Sequence, residues 1–255
     1  MLLQGLVEAT LLKRYKRFLA DVRLADGTEV TAHCPNPGSM LGLADEGMKV
    51  YLQRSADPKR KLPWSWKMVV CPNSLVVVDT MLANKLFQEG FNAGVMTELA
   101  DFEQIKAEQT YEDSRFDFKL KSGPGSRSAS RAGQAAADAY LEVKSTTLID
   151  GQVALFPDAR TERGRKHLET LMAVKKAGMR AVQFYLVGRS DALSFAPADS
   201  IDPLYGQALR RAAKAGVEIF ARRLEFAEQP CVQNSGAPAV IDLTLRVGAA
   251  VAVQL

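Results

Sequence analysis

Two short segments, Arg115–Leu120 and Tyr140–Lys144, constrain this chain more than any other feature, because both alternate apolar and polar residues with the period of two that a strand satisfies. In the first, Phe116, Phe118 and Leu120 are expected on the core face and Asp117 on the other. In the second, Leu141 and Val143 point inward, and Glu142 and Lys144 stand side by side on the outer face. Two carboxylates on neighbouring strands make a hard, oxygen-rich site suited to Mg²⁺ or Mn²⁺, whose shell water and phosphate complete. A lysine beside such an ion can orient or help deprotonate an attacking water, or counter charge on a phosphorane-like transition state. A lone Glu-x-Lys is more often a surface pair on an amphipathic strand. The nearby Asp117 strand is what raises this one above that reading.

A chain of 255 residues has room for one large or two small domains. Its first part carries short β-like runs: a hairpin over Phe18–Cys34 turning at Asp26-Gly27, then Met48–Arg54 and Trp64–Cys71, punctuated by proline and glycine. That texture predicts a small barrel over residues 1–78. From 79 to 225 the pattern becomes α/β. A helix is expected over Met81–Phe87, strands around Ile105–Tyr111, Arg115–Leu120, Ala139–Thr147 and Ala181–Gly188, helices over Thr161–Ala177 and Leu204–Ala215, and a last strand over Val217–Arg222. The Gly-, Ser-, Ala- and Arg-rich run from Lys121 to Asp138 reads as a flexible loop. Residues 226–255 read as an extension, with Val240–Val247 as a possible edge strand.

Other signals narrow the class. No apolar run approaches the roughly 20 residues that a membrane helix needs, and Met1–Leu12 lacks a basic start and contains Glu8, unlike a signal peptide. Cys34, Cys71 and Cys231 lie far apart, and His33 and His167 are the only histidines, so neither a zinc site nor a disulfide framework is expected. A soluble, cytoplasmic protein follows. The net charge of +4 is uneven: residues 160–223 hold 13 Lys and Arg against 6 Asp and Glu, and residues 81–144 hold 8 against 10. A basic lobe beside an acidic centre suits phosphates held next to a cation.

Several side chains fit that picture, each with a plainer alternative. Arg163 and Lys166 lie near the start of the Thr161–Ala177 helix, where side-chain charge and free backbone N–H groups both favour phosphate; solvent exposure is the alternative. His167 reads as a partly buried packing or hydrogen-bonding residue rather than a base. Asp158 reads as a turn residue, and Glu89 as an exposed helix-end residue rather than a further metal ligand. Lys13, Arg14, Lys16 and Arg17, interleaved with Tyr15 and Phe18, match the way barrel surfaces hold a backbone and stack bases, or form a basic strand edge. Trp64 and Trp66 fit core packing better than base stacking.

Separated blocks then carry a resemblance: His33–Met40, Asp79-Thr80 with Asn84, Ser114–Phe118, Tyr140–Ser145 and Phe156–Leu168. In this order over nearly the whole chain, the sequence resembles the sugar fermentation stimulation protein A (SfsA) family. The resemblance implies an N-terminal oligonucleotide-binding (OB) barrel and a restriction-endonuclease-like α/β domain of the PD-(D/E)xK type, with Asp117, Glu142 and Lys144 on the nuclease motif. It also implies DNA binding and, from the family name, a regulatory role in sugar metabolism. The Lys121–Asp138 insertion and the apolar end after Leu245 depart from the family pattern without touching the motif. Two readings stay open: a Mg²⁺- or Mn²⁺-dependent nuclease acting on DNA or RNA, and a non-catalytic DNA-binding regulator.

Overall fold

The computed structural model describes residues 1–123, 138–229 and 240–255. Most of the loop expected over Lys121–Asp138, and the end of the polar stretch before Val240, lie outside those residues.

The barrel is built from β1 (Leu2–Tyr15), β2 (Leu19–Leu24), β3 (Glu29–His33), β4 (Lys49–Arg54) and β5 (Trp64–Cys71). They pair in the order β1-β2-β3-β5-β4 and back to β1, which closes the sheet. Leu11, Val22, Val50, Leu52 and Trp66 are fully buried inside it. Trp66 therefore packs, and its indole N–H donates to the Met68 carbonyl at 2.8 Å. The first strand was not among the expected runs. It is long enough to serve two partners because Gly5, at φ 66°, accompanies a register shift between Leu3 and Leu6. Its second half pairs with β2 and its first half with β15 (Val240–Ala250), which merges barrel and second domain into one 12-stranded sheet.

After β6 (Ser74–Val77), α1 (Ala83–Asn92) leads into β7 (Phe102–Tyr111), β8 (Ser114–Ser122) and β9 (Ala139–Thr146). Two short strands, β10 (Leu148–Asp150) and β11 (Val153–Phe156), precede α2 (Glu162–Lys176) and β12 (Arg180–Val187). The chain continues through β13 (Ser194–Pro197), α3 (Pro203–Lys214), β14 (Glu218–Gln229), β15 and β16 (Ala252–Val253). The second part of the large sheet runs β15-β14-β12-β9-β8-β7, with β9, β12 and β14 parallel; β10, β11, β13 and β16 form a second sheet. Parallel strands need cover on both faces. Here α1 packs on one face, with Phe87 ring centroids 5.1 Å from Phe118 and 4.8 Å from Phe184. Helices α2 and α3 cover the other, through buried Leu168, Leu171, Tyr205 and Leu209.

Three expectations are corrected. Glu142 does not stand on an outer face: α2 lies over it and leaves it 3% exposed. Phe116 does not share a face with Phe118 and Leu120. It packs with Tyr140 and His167 on the α2 side, whereas the other two pack on the α1 side. The change of facing falls at Asp117, where the ladder with β7 keeps its register but skips the Glu108–Asp117 pair, and Glu108 takes φ 54°. Finally, Val240–Ala250 is not an edge strand but an interior one, hydrogen-bonded to β14 on one side and β1 on the other.

Candidate metal centre

The ladder between β8 and β9 ends at Phe118–Leu141, and the next amide, Val143 N–H, donates instead to Asp117 Oδ2 at 2.8 Å. A buried N–H needs an acceptor, so the side chain takes the place of the absent backbone partner and the strands are free to part. The other oxygen, Asp117 Oδ1, accepts from Asn84 Nδ2 of α1 at 2.7 Å. That helix is placed by Asp79, 3% exposed, which pairs with Lys67 of β5 at 2.5 Å and accepts from Met81 N–H. Burial and the charge of Glu142 hold the Asp117 carboxyl above its usual range, although the two donors and Lys144 oppose them.

Glu142 projects from β9 beneath α2. Its Oε1 receives Lys144 Nζ at 2.5 Å and lies 2.5 Å from His167 Nδ1, while Oε2 is buried without a partner. Burial pushes this carboxyl up, but His167 and Lys144 outweigh it and hold it below its ordinary value. An unsatisfied buried acceptor costs about 1–3 kcal/mol, more for a charged group, so such an oxygen in a native fold calls for an explanation. A cation supplies one. Asp117 and Glu142 offer only hard oxygens, and among the described residues no group of three or more His, Cys, Asp and Glu is placed to hold a metal. Paired carboxylate oxygens are donors of the kind that a hard divalent cation takes.

Asp117, Glu142 and Lys144 line one cleft of about 730 Å³ together with Asn84, Lys85, Asn36, Gly38, Asp158 and Arg163. One wall comes from the barrel. Asn36 Nδ2 donates to the Val78 carbonyl at 3.0 Å, and Thr80 Oγ1 to the Pro35 carbonyl at 2.8 Å. Asp158 joins this wall to the second domain, accepting from Ser39 Oγ at 3.2 Å and Met40 N–H at 3.1 Å; the turn residue is a strut between domains. A Cβ at Gly38 would fall 2.4 Å from Asp158 Oδ2, so a larger residue there would displace that carboxylate.

The expected basic residues divide. Arg163 is exposed and lines the cleft; Lys166 is exposed farther along α2, and Thr161 caps that helix by accepting from Gly164 N–H. Lys16 and Arg17 are exposed in the β1–β2 turn at φ 48° and 63°, and Lys13 lies 3.5 Å from Asp21. Arg14 has turned inward: its guanidinium donates to the carbonyls of Arg17, Asn36, Gly38 and Ser39 and braces the cleft wall. Glu89 pairs with the Met1 ammonium at 2.8 Å in a different cavity. The sequence alone gives Asn84 no role at the site, because a polar residue on an amphipathic helix carries no mark of what its open side meets.

A closed OB-type barrel joined to an α/β domain with paired carboxylates and a lysine in a cleft defines a two-domain protein of nuclease-like fold. Comparison with known proteins gives the family. The model of the SfsA N-terminal OB domain matches residues 12–78, and that of the sugar fermentation stimulation protein RE domain matches residues 81–230. The chain belongs to the sugar fermentation stimulation protein A family. A sugar fermentation stimulation protein homolog of Geobacter sulfurreducens is 48% identical over 219 residues, 86% of this chain and 89% of that one. The Pseudomonas aeruginosa homolog is 48% identical over 223 residues, 86% and 90% of the two chains. The solved structure of Pyrococcus furiosus SfsA in complex with Ca²⁺ shares the fold, at a TM-score of 0.82 and 23% identity, over 100% of this chain and 98% of that one. No helix among the described residues is long and apolar enough to cross a membrane.

Proposed function

We propose that this protein is a Mg²⁺- or Mn²⁺-dependent phosphodiesterase acting on DNA or RNA, in which the barrel holds the strand and the cleft cuts it. The observation that carries the reading is the buried, unpartnered Glu142 Oε2, in a residue that lines the same cleft as Asp117. The Pyrococcus furiosus protein, solved in complex with Ca²⁺, supports a divalent cation in this fold. Asp117 and Glu142 would hold the ion, which when bound supplies Lewis-acid activation of the phosphoryl group. Asn84 and the Val143 amide keep Asp117 oriented, and Lys144 Nζ stands where it can steer a water or offset charge on the phosphoryl oxygens. Arg163 at the cleft and Lys16 and Arg17 on the barrel supply phosphate contacts. A regulator that only binds DNA uses the barrel and the basic residues, but has no need of paired carboxylates with a lysine. Incubation of the purified protein with labelled single- and double-stranded DNA and RNA, in Mg²⁺, Mn²⁺ or EDTA, tests this directly; metal-dependent cleavage that Glu142→Ala abolishes is expected.

Asn84→Ala is expected to weaken Mn²⁺ binding by about 10-fold, the lower end for residues that orient a ligand, and to leave the fold intact. Titration calorimetry checks it. Unchanged affinity would show that the Val143 amide alone orients Asp117.

The barrel residues separate in a double test. Charge reversal of both Lys16 and Arg17 is expected to lower the slope of log affinity against log salt by about 1.5, as loss of two phosphate contacts would. Arg14→Ala is expected instead to destabilise the protein by about 1–3 kcal/mol in thermal melts, since four backbone carbonyls lose a donor. A salt slope that Lys16 and Arg17 do not affect would make that turn plain solvated surface.

A further inference from the structure

We propose that His167 is a positioning residue that ties the buried carboxylate to the cation at the cleft mouth, one imidazole orienting both Glu142 and Arg163. This rests on the reading of Asp117 and Glu142 as ligands of a divalent cation and adds the device that holds one of them. His167 lies on α2, 5% exposed, with Nδ1 2.5 Å from Glu142 Oε1 and Nε2 3.5 Å from Arg163 Nε. A guanidinium only donates, so Nε2 is the acceptor and the proton sits on Nδ1, from which it is given to Glu142. Lys144 Nζ, 3.5 Å from the same Nδ1, is not a partner of the ring: both are donors converging on Glu142 Oε1. The ring, fixed on α2, holds Oε1 with or without the flexible Lys144, and Oε2 is the oxygen left without a partner.

The other end of the ring acts on Arg163, one helical turn earlier, where residues four apart share a face. The contact engages Nε, and among the described residues no other hydrogen bond of this side chain is present, which leaves the fork of Nη donors for a phosphate. The ring of Phe116, 6.0 Å away at 64°, packs edge-on and fixes the imidazole plane. A histidine that only filled space between α2 and β9 would not need both nitrogens aimed at groups of the cleft.

The two arms separate by substitution. Asn places a donor near the Nδ1 position, Gln places an acceptor near the Nε2 position, and Phe keeps the bulk and neither. Full-length wild type, His167→Phe, His167→Asn, His167→Gln, Arg163→Ala and Glu142→Ala are titrated with Mn²⁺ by calorimetry and, without metal, with a labelled single-stranded DNA by anisotropy. His167→Phe is expected to lose about 10- to 100-fold in Mn²⁺ affinity and to bind the strand no better than Arg163→Ala. His167→Asn should regain Mn²⁺ affinity but not strand affinity, and His167→Gln the reverse. A folded His167→Phe that matches wild type in both readouts overturns the proposal. If that variant fails to fold, the opposite patterns of Asn and Gln decide, and equal shifts in both overturn it. Equal Mn²⁺ binding by wild type and Glu142→Ala removes the cation site itself and the proposal with it, a result distinct from His167 variants that bind normally while Glu142→Ala does not.

Discussion

Lys144→Ala is expected to bind Mn²⁺ nearly as tightly as the unaltered protein and to lose most of its metal-dependent cleavage, whereas Asp117→Ala and Glu142→Ala should lose both. The difference follows from the atoms. Lys144 offers no acceptor and meets the cleft through its ammonium, 2.5 Å from Glu142 Oε1, so its removal costs charge at the reacting phosphate while His167 still holds the carboxylate. Either carboxylate, by contrast, is half of the donor set. Loss of a ligand whose ion contributes several kcal/mol of transition-state stabilisation corresponds to at least about 10³-fold in rate. The three losses should not add, because the groups act on one transition state. Acid should weaken the ion as well. Burial and the charge of Glu142 raise the Asp117 carboxyl above its usual range, so Mn²⁺ affinity should begin to fall above the pH at which an ordinary aspartate protonates. Calorimetry on the three variants and across pH reads all of this; Mn²⁺ affinity lost in Lys144→Ala but kept in Glu142→Ala would invert the assignment.

The largest effect on stability is expected far from the cleft, at Arg222. Its guanidinium donates to both oxygens of Glu98, at 2.7 and 2.6 Å, and to the Gly248 carbonyl at 2.9 Å, tying β14 and β15 to the turn after α1. Arg222→Ala strands Glu98, whose side chain keeps 15% exposure, and should cost about 3 kcal/mol, toward the low end for breaking a buried pair. The pH dependence has a definite sign. Burial pushes Glu98 up, but the Arg222 bond outweighs it and the folded value lies below the ordinary one. The contribution is therefore full above the unfolded glutamate value of about 4.3 and is lost as pH falls through the lower folded value. Thermal melts of the two proteins should lie farthest apart near neutrality and converge in acid. A constant gap down to the acid limit would mean that Arg222 stabilises through Gly248 and packing alone.

How much of this is legible in the sequence depends on whether the signal is local. The alternation in Arg115–Leu120 and Tyr140–Lys144 located β8, β9, the two carboxylates and the lysine, because period two survives wherever a strand is regular. It misplaced Phe116, since the Glu108–Asp117 pair that the ladder skips depends on the partner strand, and it put Glu142 outside, since the same alternation arises whether the polar face meets water or a roofed cleft. The second sheet, built of strands as short as Ala252–Val253, was missed: a few residues carry too little period to read. β1 and the interior place of β15 depend on pairings such as Leu2 with Thr244, which leave no trace in neighbouring residues. In the site, the role of Asn84 and the inward turn of Arg14 likewise exist only once α1 and the His33–Met40 block are docked.

Cleavage of labelled DNA and RNA by wild type and Glu142→Ala, purified side by side and assayed with Mn²⁺ and with EDTA, tests the central claim most directly. Wild type is expected to cut in Mn²⁺ and not in EDTA, and the variant is expected to cut in neither. Equal cutting by both proteins would place the activity in a contaminant or another site and contradict the assignment of Glu142.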